Sequence, residues 1–365
     1  MTLQEALPRR VRLTRIDLAD VEQTVVRAAG ILMQRFPEEL SSDAPLRGAL
    51  PEHGARHLEH FDLAIEAQDD TAFVEYARWV GRVLVARGLS HRCLRAHFQV
   101  LADLVEESET PAQVAAETRR LAGLPETDLF KPDLPKTWLS QSEEMQERSK
   151  LLLDRLVRGD HAGAVDVVRR AHEAGADIRE LYLGLVQPVM YSVGRLWQDN
   201  QITWQEEHTA TAILPAVFAY CRQHMQPEAP AARGTVVLSG VDRELHDIGL
   251  SVLADVLKTD GWRVRNLGGN NPHDVITGTM AYERPVLVGL SVTLPINMRP
   301  ASEVIARIRA DSKLEGCPVV VGGGAFEQSP HAWRRIGADA LCRGPEDLLR
   351  LLKGDSDVVG GPVPA

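Results

Sequence analysis

Residues 234–249 read GTVVLSGVDRELHDIG. A short apolar run gives way to a charged loop, and apolar residues then resume at helical spacing through HDIGLSVLADVLKTDG, residues 246–261. That change of period, from continuous Val/Leu to one residue in three or four, predicts a strand followed by a helix. The alternation repeats downstream. WRVRNLGG (262–269), PVLVGLSVT (285–293), PVVVGGGA (318–325) and DALCRG (339–344) predict four more strands. PHDVITGTMAYERP, RPASEVIARIRADSKLEG, SPHAWRRIGA and PEDLLRLLKG predict the helices between and after them. Strands that are apolar on both faces belong to a parallel sheet covered by helices on both sides. Residues 234–353 are therefore expected to form an α/β Rossmann-like, doubly wound parallel sheet.

Upstream, the Pro-rich stretches LPETDLFKPDLPKTW and QPEAPAARG divide the chain, because proline stops helices and restricts its neighbour. The expected organisation is multidomain: an all-α N-terminal domain, then a four-helix bundle, then the sheet. The boundaries are 1–124 for the first domain and 125–140 for a linker. The bundle covers 141–226 and a second linker 227–233. The sheet domain follows at 234–353, with a loose tail at 354–365. In the first domain, Phe73, Tyr76, Ala77, Val80, Val83 and Leu84 form an apolar helical stripe, as do Leu94, Phe98, Leu101 and Leu104. The bundle helices are SEEMQERSKLLLDRLVRGD, DHAGAVDVVRRAHEAG, IRELYLGLVQPVMYSVGRLWQDN and TWQEEHTATAILPAVFAYCRQHM. Asp160 and Thr203 are expected caps, Glu206 completes a capping box with Thr203, and Pro188 is expected to interrupt the third helix.

Composition narrows the function. The 365 residues carry 41 Lys plus Arg against 51 Asp plus Glu, a net charge of −10. That balance argues against a broad nucleic-acid surface. With 44% hydrophobic and 25% charged residues the chain is an ordinary globular one. No apolar run approaches membrane-span length, and the N-terminus lacks the apolar core of a signal peptide, so a cytoplasmic location is expected. Cys93, Cys221, Cys317 and Cys342 are too dispersed for a disulfide framework or a Cys-based zinc site. There is no P-loop, nucleophile-elbow or His-Glu-x-x-His motif.

Three pieces fall at the carboxyl ends of expected strands, where open α/β sheets bind ligands. They are Glu244-Leu245-His246-Asp247-Ile248-Gly249, then Ser291-x-Thr293-Leu294, then Gly322-Gly323. Singly, each has an ordinary explanation: a surface or capping histidine, strand filling, turn glycines. Together they resemble the cobalamin-binding domain of B12-dependent methyltransferases, mutases and light sensors. The resemblance implies His246 as lower axial cobalt ligand, tuned by Glu244, and Gly249 as an open approach for the corrin ring. It implies Ser291 and Thr293 on the nucleotide tail, and Gly322 and Gly323 beside its sugar and phosphate. The turn Leu267-Gly268-Gly269-Asn270-Asn271 is expected to border the ring. Methyltransferase relatives often carry a serine at the position held here by Asn297, which cannot release a proton.

In the bundle, Trp197, nine residues, then Glu207-His208 resembles the cap signature of CarH-type adenosylcobalamin photoreceptors. The resemblance implies Trp197 packed on the upper axial group and Glu207 accepting from a ribose hydroxyl, with His208 assisting. The alternative is bundle core for Trp197 and a solvated face for the other two. Gln198 stands where those DNA-binding relatives have a histidine, which puts a bis-histidine light product in doubt unless His208 or His172 substitutes. No helix-turn-helix with a basic wing precedes the bundle, so direct DNA binding is not expected. The first domain loosely resembles the globin-like sensor modules of stress-response regulators. Its His53, His57 and His60 fall on one helix face, read as a solvated polar face rather than as metal or tetrapyrrole contacts. His91, Arg92, Arg95 and His97 form a second cationic group, also read as surface, although arginine pairs well with carboxylates.

The chain as a whole resembles the photocobilins, which join a CarH-like module to biliverdin and lack a DNA-binding domain. The expectation is a sensor rather than an enzyme, with adenosylcobalamin as cofactor and biliverdin as a second chromophore. Its expected partners are a second copy of itself or a downstream signalling protein. A corrinoid carrier for methyl transfer and a light-independent cobalamin sensor stand as alternatives.

Overall fold

The structure, a computed structural model, describes residues 11–41, 44–129, 143–225, 233–327 and 331–354. Residues 130–140 and 227–232 of the expected linkers and 355–365 of the expected tail lie outside the described residues. The chain divides into two compact units, Met1–Leu134 with Gln198–Asn200 and Pro135–Trp197 with Gln201–Ala365.

The first unit is helical throughout its described elements. Its principal helices are α1 (Val21–Arg35), α3 (Ala44–Ala67), α4 (Thr71–Val85), α5 (His91–Glu106) and α6 (Ala112–Ala122), with a short α2 (Pro37–Ser41) and α7 (Glu126–Leu129). Asp20 caps α1 by accepting from Gln23 N, and Ser90 caps α5 by accepting from Cys93 N. The two expected stripes face inward: Phe73 and Phe98 are fully buried and meet Phe61 in one aromatic cluster. The buried Asp62 carboxylate on α3 accepts from the backbone N–H groups of Thr14, Arg15 and Ile16, so an extended N-terminal segment is pinned to this helix.

The second unit begins with the expected bundle: α8 (Glu143–Val157), α9 (His161–Glu173), a third helix in three parts, and α12 (Trp204–His224). Asp160 accepts from Gly163 N at 2.8 Å, and Thr203 and Glu206 form the reciprocal capping box. The third helix runs as α10 (Ile178–Glu180), a π-helical turn (Leu181–Val186) and α11 (Gln187–Gln198). The interruption lies immediately before Pro188, whose missing N–H cannot serve the carbonyl four residues back, and the widened turn absorbs that loss.

Five strands follow: β1 (Thr235–Gly240), β2 (Arg263–Asn266), β3 (Leu287–Ser291), β4 (Val319–Gly322) and β5 (Ala340–Leu341). They alternate with α13 (Ile248–Thr259), α14 (His273–Glu283), α15 (Met298–Ala310), the short α16 (Ala332–Arg335) and α17 (Pro345–Leu352). All pairings are parallel, in the order β2-β1-β3-β4-β5. The expected architecture, helical regions followed by a doubly wound parallel sheet, is the one observed. The order reverses at β1, so the crevice for a ligand opens at the carboxyl ends of β1 and β3.

Bundle and sheet share one hydrophobic core: Leu156, Val168, Leu185 and Val217 belong to the same buried cluster as Val236, Leu238 and Leu257. Asp255 on α13 adds a polar tie. Its fully buried carboxylate accepts from Tyr182 Oη (2.8 Å), Arg222 Nε (2.7 Å) and Lys258 Nζ (3.0 Å).

Candidate functional site

Register brings the three sequence pieces to one line. Gly240, the last residue of β1, pairs with Ser291, the last of β3, and Ser291 pairs with Gly322, the last of β4. Beyond Gly240 the chain turns through Arg243, which has a positive φ of 69°, and drives Glu244 into the interior. Glu244 is fully buried, whereas its neighbour Leu245 is 75% exposed, a costly placement for a large apolar side chain.

Every acceptor position of Glu244 is engaged. Oε1 accepts from His246 N (3.0 Å) and His246 Nδ1 (2.6 Å). Oε2 accepts from Thr293 N (2.6 Å) and from Asn297 Nδ2 (3.1 Å). Burial alone would push this carboxyl up, but the hydrogen bonds from His246 and Thr293 outweigh it and hold it below its ordinary value. His246 responds in the opposite sense. Its hydrogen bond to Glu244 raises its pKa against the opposing effect of desolvation, and the charges of Glu207 and Asp247 add to the rise. Because Nδ1 faces an acceptor-only carboxylate, it carries the proton. Nε2 is left with its lone pair, on a side chain that is 58% exposed. An imidazole oriented by a carboxylate, with a free and outward Nε2, is the donor geometry of a metal ligand.

The loop is held from beneath. Glu244 O accepts from Asn270 N at 2.7 Å, and Asn270 Oδ1 accepts from Arg243 N at 2.9 Å. A Cβ on Gly269 would lie 2.5 Å from Glu244 O, so only glycine fits there. The Gly/Asn turn thus packs directly against the histidine loop. The glycines of the third piece are likewise demanded by the protein itself. A Cβ on Gly322 would meet Cys342 O at 2.6 Å, and Gly323 has a φ of +111° with Val292 O at 2.4 Å from an added Cβ. Gly249, second residue of α13, is the opposite case: an added Cβ would meet nothing within 4 Å. The space beside it is open.

On the bundle, Trp197 is half-buried near the end of α11, one residue before Gln198. Glu207 and His208 lie in the first turns of α12; Glu207 Oε2 meets His208 Nδ1 at 2.6 Å, and Glu207 Oε1 accepts from Thr211 Oγ1. The His208 ring stacks near Trp204, itself 58% exposed, at a centroid distance of 3.9 Å. His172 is engaged by Tyr220 Oη at 2.9 Å. Glu244, His246 and the Thr293 backbone are brought into contact, and Glu207 stands near enough for its charge to act on His246. Asp247, Ile248 and Leu294 flank these groups in sequence, at the cap of α13 and before the turn Pro295–Asn297. Thr293 contributes its N–H to Glu244. Sequence reasoning missed Asn297 as a partner of Glu244; the signal available was an amide where relatives carry a hydroxyl.

In the first unit the structure corrects the expected solvated histidine face. His57, His60 and His97 are buried, and the His57 and His97 rings sit edge-on at 4.7 Å. His57 Nδ1 meets Tyr76 Oη at 2.7 Å, and His60 stacks on the Tyr76 ring. His53 Nδ1, His57 Nε2 and His97 Nε2 are buried without a hydrogen-bond partner. The helix face carrying them points into the core because α5 and α4 pack over it. Burial holds His53 down at about 4 and His97 at about 3. Of the second cationic group, His97 is core and Arg92 is exposed.

Comparison with known proteins assigns the ligand class. Residues 234–352 match the family described as the B12 binding domain, and residues 149–222 match a second family of the same description. The second unit is a cobalamin-binding module. The chain is 24% identical over 228 residues to the methanol–corrinoid protein of Methanosarcina barkeri, covering 58% of this chain and 86% of that one. It is 28% identical over 167 residues to the HTH-type transcriptional repressor CarH of Myxococcus xanthus, covering 46% of this chain and 54% of the repressor. It is 26% identical over 141 residues to methionine synthase of Mycobacterium tuberculosis, of which it spans only 12%, against 38% of this chain. Among solved structures, the monomethylamine corrinoid protein of Methanosarcina barkeri aligns with a TM-score of 0.49 at 18% identity, over 56% of this chain and 97% of that one. The residues of the module fit a corrinoid: an outward imidazole with a fixed tautomer, an exposed Leu245 beside it, and open space at Gly249. Among the described residues, no helix is long and apolar enough to cross a membrane, and no group of three His, Cys, Asp or Glu side chains is arranged to hold a metal by itself.

Proposed function

We propose that the chain is a cobalamin-dependent light sensor. The observation that supports this most is the bundle: Trp197, Glu207 and His208 keep the spacing of the photoreceptor cap, and Glu207 is close enough for its charge to act on His246. His246 Nε2 would hold the cobalt, with Glu244 fixing the tautomer and Gly249 leaving the ring room. Ser291, Thr293, Gly322 and Gly323 would border the nucleotide tail. Adenosylcobalamin, when bound, supplies a photolabile cobalt–carbon bond and a visible chromophore. The protein's own part is to orient His246 and to present Trp197 and Glu207 over the opposite side. It also provides a bundle tied to the sheet through Asp255, the attachment on which a light-driven change in the cap would act. The output would be a changed surface for a second copy or a signalling partner, in a soluble, cytoplasmic setting. Biliverdin as a second chromophore belongs to the same proposal, supported by the buried, unpartnered imidazole nitrogens of the first unit. A far-red band on adding biliverdin is the expected sign, and its absence at micromolar pigment refutes that part.

The second reading is a corrinoid carrier for methyl transfer, favoured by the methanol–corrinoid relative and its coverage. Asn297 speaks against it, since an amide donates to Glu244 but passes no proton onward. The deciding experiment is an absorption spectrum of the full chain mixed with adenosylcobalamin and desalted, before and after green light, with His246→Ala alongside. Retained cofactor with a histidine-ligated spectrum and an irreversible light-driven change, both lost in H246A, is expected for the sensor. Photolysis no different from free cofactor, with methylcobalamin turned over by a partner methyltransferase, would replace it with the carrier.

A further inference from the structure

The first unit carries a cavity that the cobalamin module does not use. It is an open-sided hollow of about 470 Å³, lined by Arg35, Phe36, Arg92, Arg95, Ala96 and Gln99. Three of those six residues are arginines. Arg35 sits in the last turn of α1, and Arg92 and Arg95 lie in the first turns of α5. None of the three makes an ion pair or hydrogen bond with a described carboxylate. Glu39, on the short helix after Arg35, accepts from Ser90 N at 3.0 Å and so serves the start of α5. Arg95 Nε is buried with no hydrogen-bond partner. The rest of the Arg95 side chain is half-exposed, so an acceptor seated in the hollow could reach this otherwise open donor.

The placement runs against helix electrostatics. The amino end of a helix is positive and favours acids, yet the first turn of α5 holds none, and His91, Arg92 and Arg95 crowd it. Elsewhere in this unit arginines are paired: Arg120 with Asp70 and Glu117, Arg78 with Glu75, Arg56 with Glu52. Beside Arg92 and Arg95 lies an apolar wall. The Phe36 ring faces the cavity with the Arg92 guanidinium 5.8 Å from its centroid, and Ala96 continues the surface. Cation, aromatic face and open donor together describe a receptor for a flat organic anion.

We propose that this cavity binds a small aromatic carboxylate, its anionic group on Arg92 and Arg95 with Arg35 closing from α1, and its ring on Phe36 and Ala96. The site is independent of the cobalamin module and stands or falls without it. Its volume is within the range of small-molecule sites.

The test is calorimetric titration of the full chain with 2-naphthoate, with the uncharged 2-naphthamide, and with inorganic phosphate. Naphthoate is expected to bind one-to-one, with naphthamide at least tenfold weaker. Arg92→Gln with Arg95→Gln should weaken naphthoate at least tenfold at unchanged helical circular dichroism, and Phe36→Ala should weaken naphthoate while sparing phosphate. Arg35→Gln, at an exposed position, gives a smaller loss and serves if the double variant fails to fold. No naphthoate binding, equal binding of naphthoate and naphthamide, or binding unmoved by every arginine variant would overturn the proposal.

Discussion

Acid should open the first unit before the second. His53 and His97 are held at about 4 and about 3 by burial, while in the unfolded chain each titrates near about 6.5. The groups around them are mixed: Glu52 favours the charged form of His53, and Arg56 and Arg87 oppose it. A depressed folded pKa means that stability is present above the unfolded value and lost as pH falls toward the folded one. At pH 5 the unfolded chain has taken up the proton and the folded chain has not. For each of these two histidines the difference integrates to about 2 kcal/mol relative to neutral pH. His57 shifts in the same direction, so the sum is a large share of a typical domain's stability. Hydrogen exchange followed by mass spectrometry reads the effect, once corrected for the intrinsic pH dependence of exchange. Protection in peptides spanning residues 53–62 and 91–105 should drop by more than tenfold between pH 7.5 and 5, ahead of peptides from β1 and β3. His97→Gln should reduce that pH dependence. Equal protection at both pH values would mean that the imidazoles are solvated or already charged, and would refute the account.

Asp255→Asn should cost about 1–3 kcal/mol, because the bonds from Tyr182 Oη and Arg222 Nε lose their charged acceptor and the new NH2 group faces the partly exposed Lys258 ammonium. A thermal-melt cycle with Tyr182→Phe should show the two losses to be strongly non-additive. Gly323→Ala should destabilise by about 1–3 kcal/mol, since it combines a strained φ with a backbone clash. Gly249→Ala should leave the melting temperature unchanged or raised, and yet lower cobalamin retention after desalting. Full retention in G249A would show that the ring does not approach α13.

The sheet was legible because its signal is redundant: five apolar runs, each bounded by a helical stretch, leave one architecture. The caps Asp160 and Thr203 were legible because capping is local chemistry. The strand-end positions of Ser291 and Gly322 were legible, but their register with Gly240 was not, since pairing between distant strands leaves no mark in a single sequence. The histidines of α3 were misread for a physical reason. Helical spacing says that His53, His57 and His60 share a face, but not whether that face meets water. Glu59 is itself buried and accepts from Arg12 N, a contact from residues far away in sequence. The role of Asn297 was hidden likewise, because its partner Glu244 is 53 positions away.

Counting donors and acceptors around Glu244 yields a sharper test of His246 than removing it. Four donors converge on the two carboxylate oxygens: His246 N and Nδ1 on one, Thr293 N and Asn297 Nδ2 on the other. Glu244→Gln keeps the shape but has one oxygen and one NH2 group. With the Asn297 amide in its present orientation, Thr293 N and Asn297 Nδ2 both donate to this side and keep the oxygen there. The NH2 group then faces His246, whose Nδ1 must become an acceptor. In a neutral imidazole that moves the proton to Nε2 and removes the outward lone pair on which cobalt ligation depends. E244Q should therefore fold, with a loss of about 1–3 kcal/mol from the backbone N–H of His246 left facing a donor. It should also lose the histidine-ligated cobalamin spectrum as completely as H246A. Nitrogen chemical shifts of the His246 ring in the cofactor-free protein report the tautomer directly: Nδ1–H in the parent chain, Nε2–H in E244Q. Retained histidine ligation in E244Q would show that Glu244 tunes the ring without choosing its tautomer, and that Nε2 is presented by something other than this carboxylate.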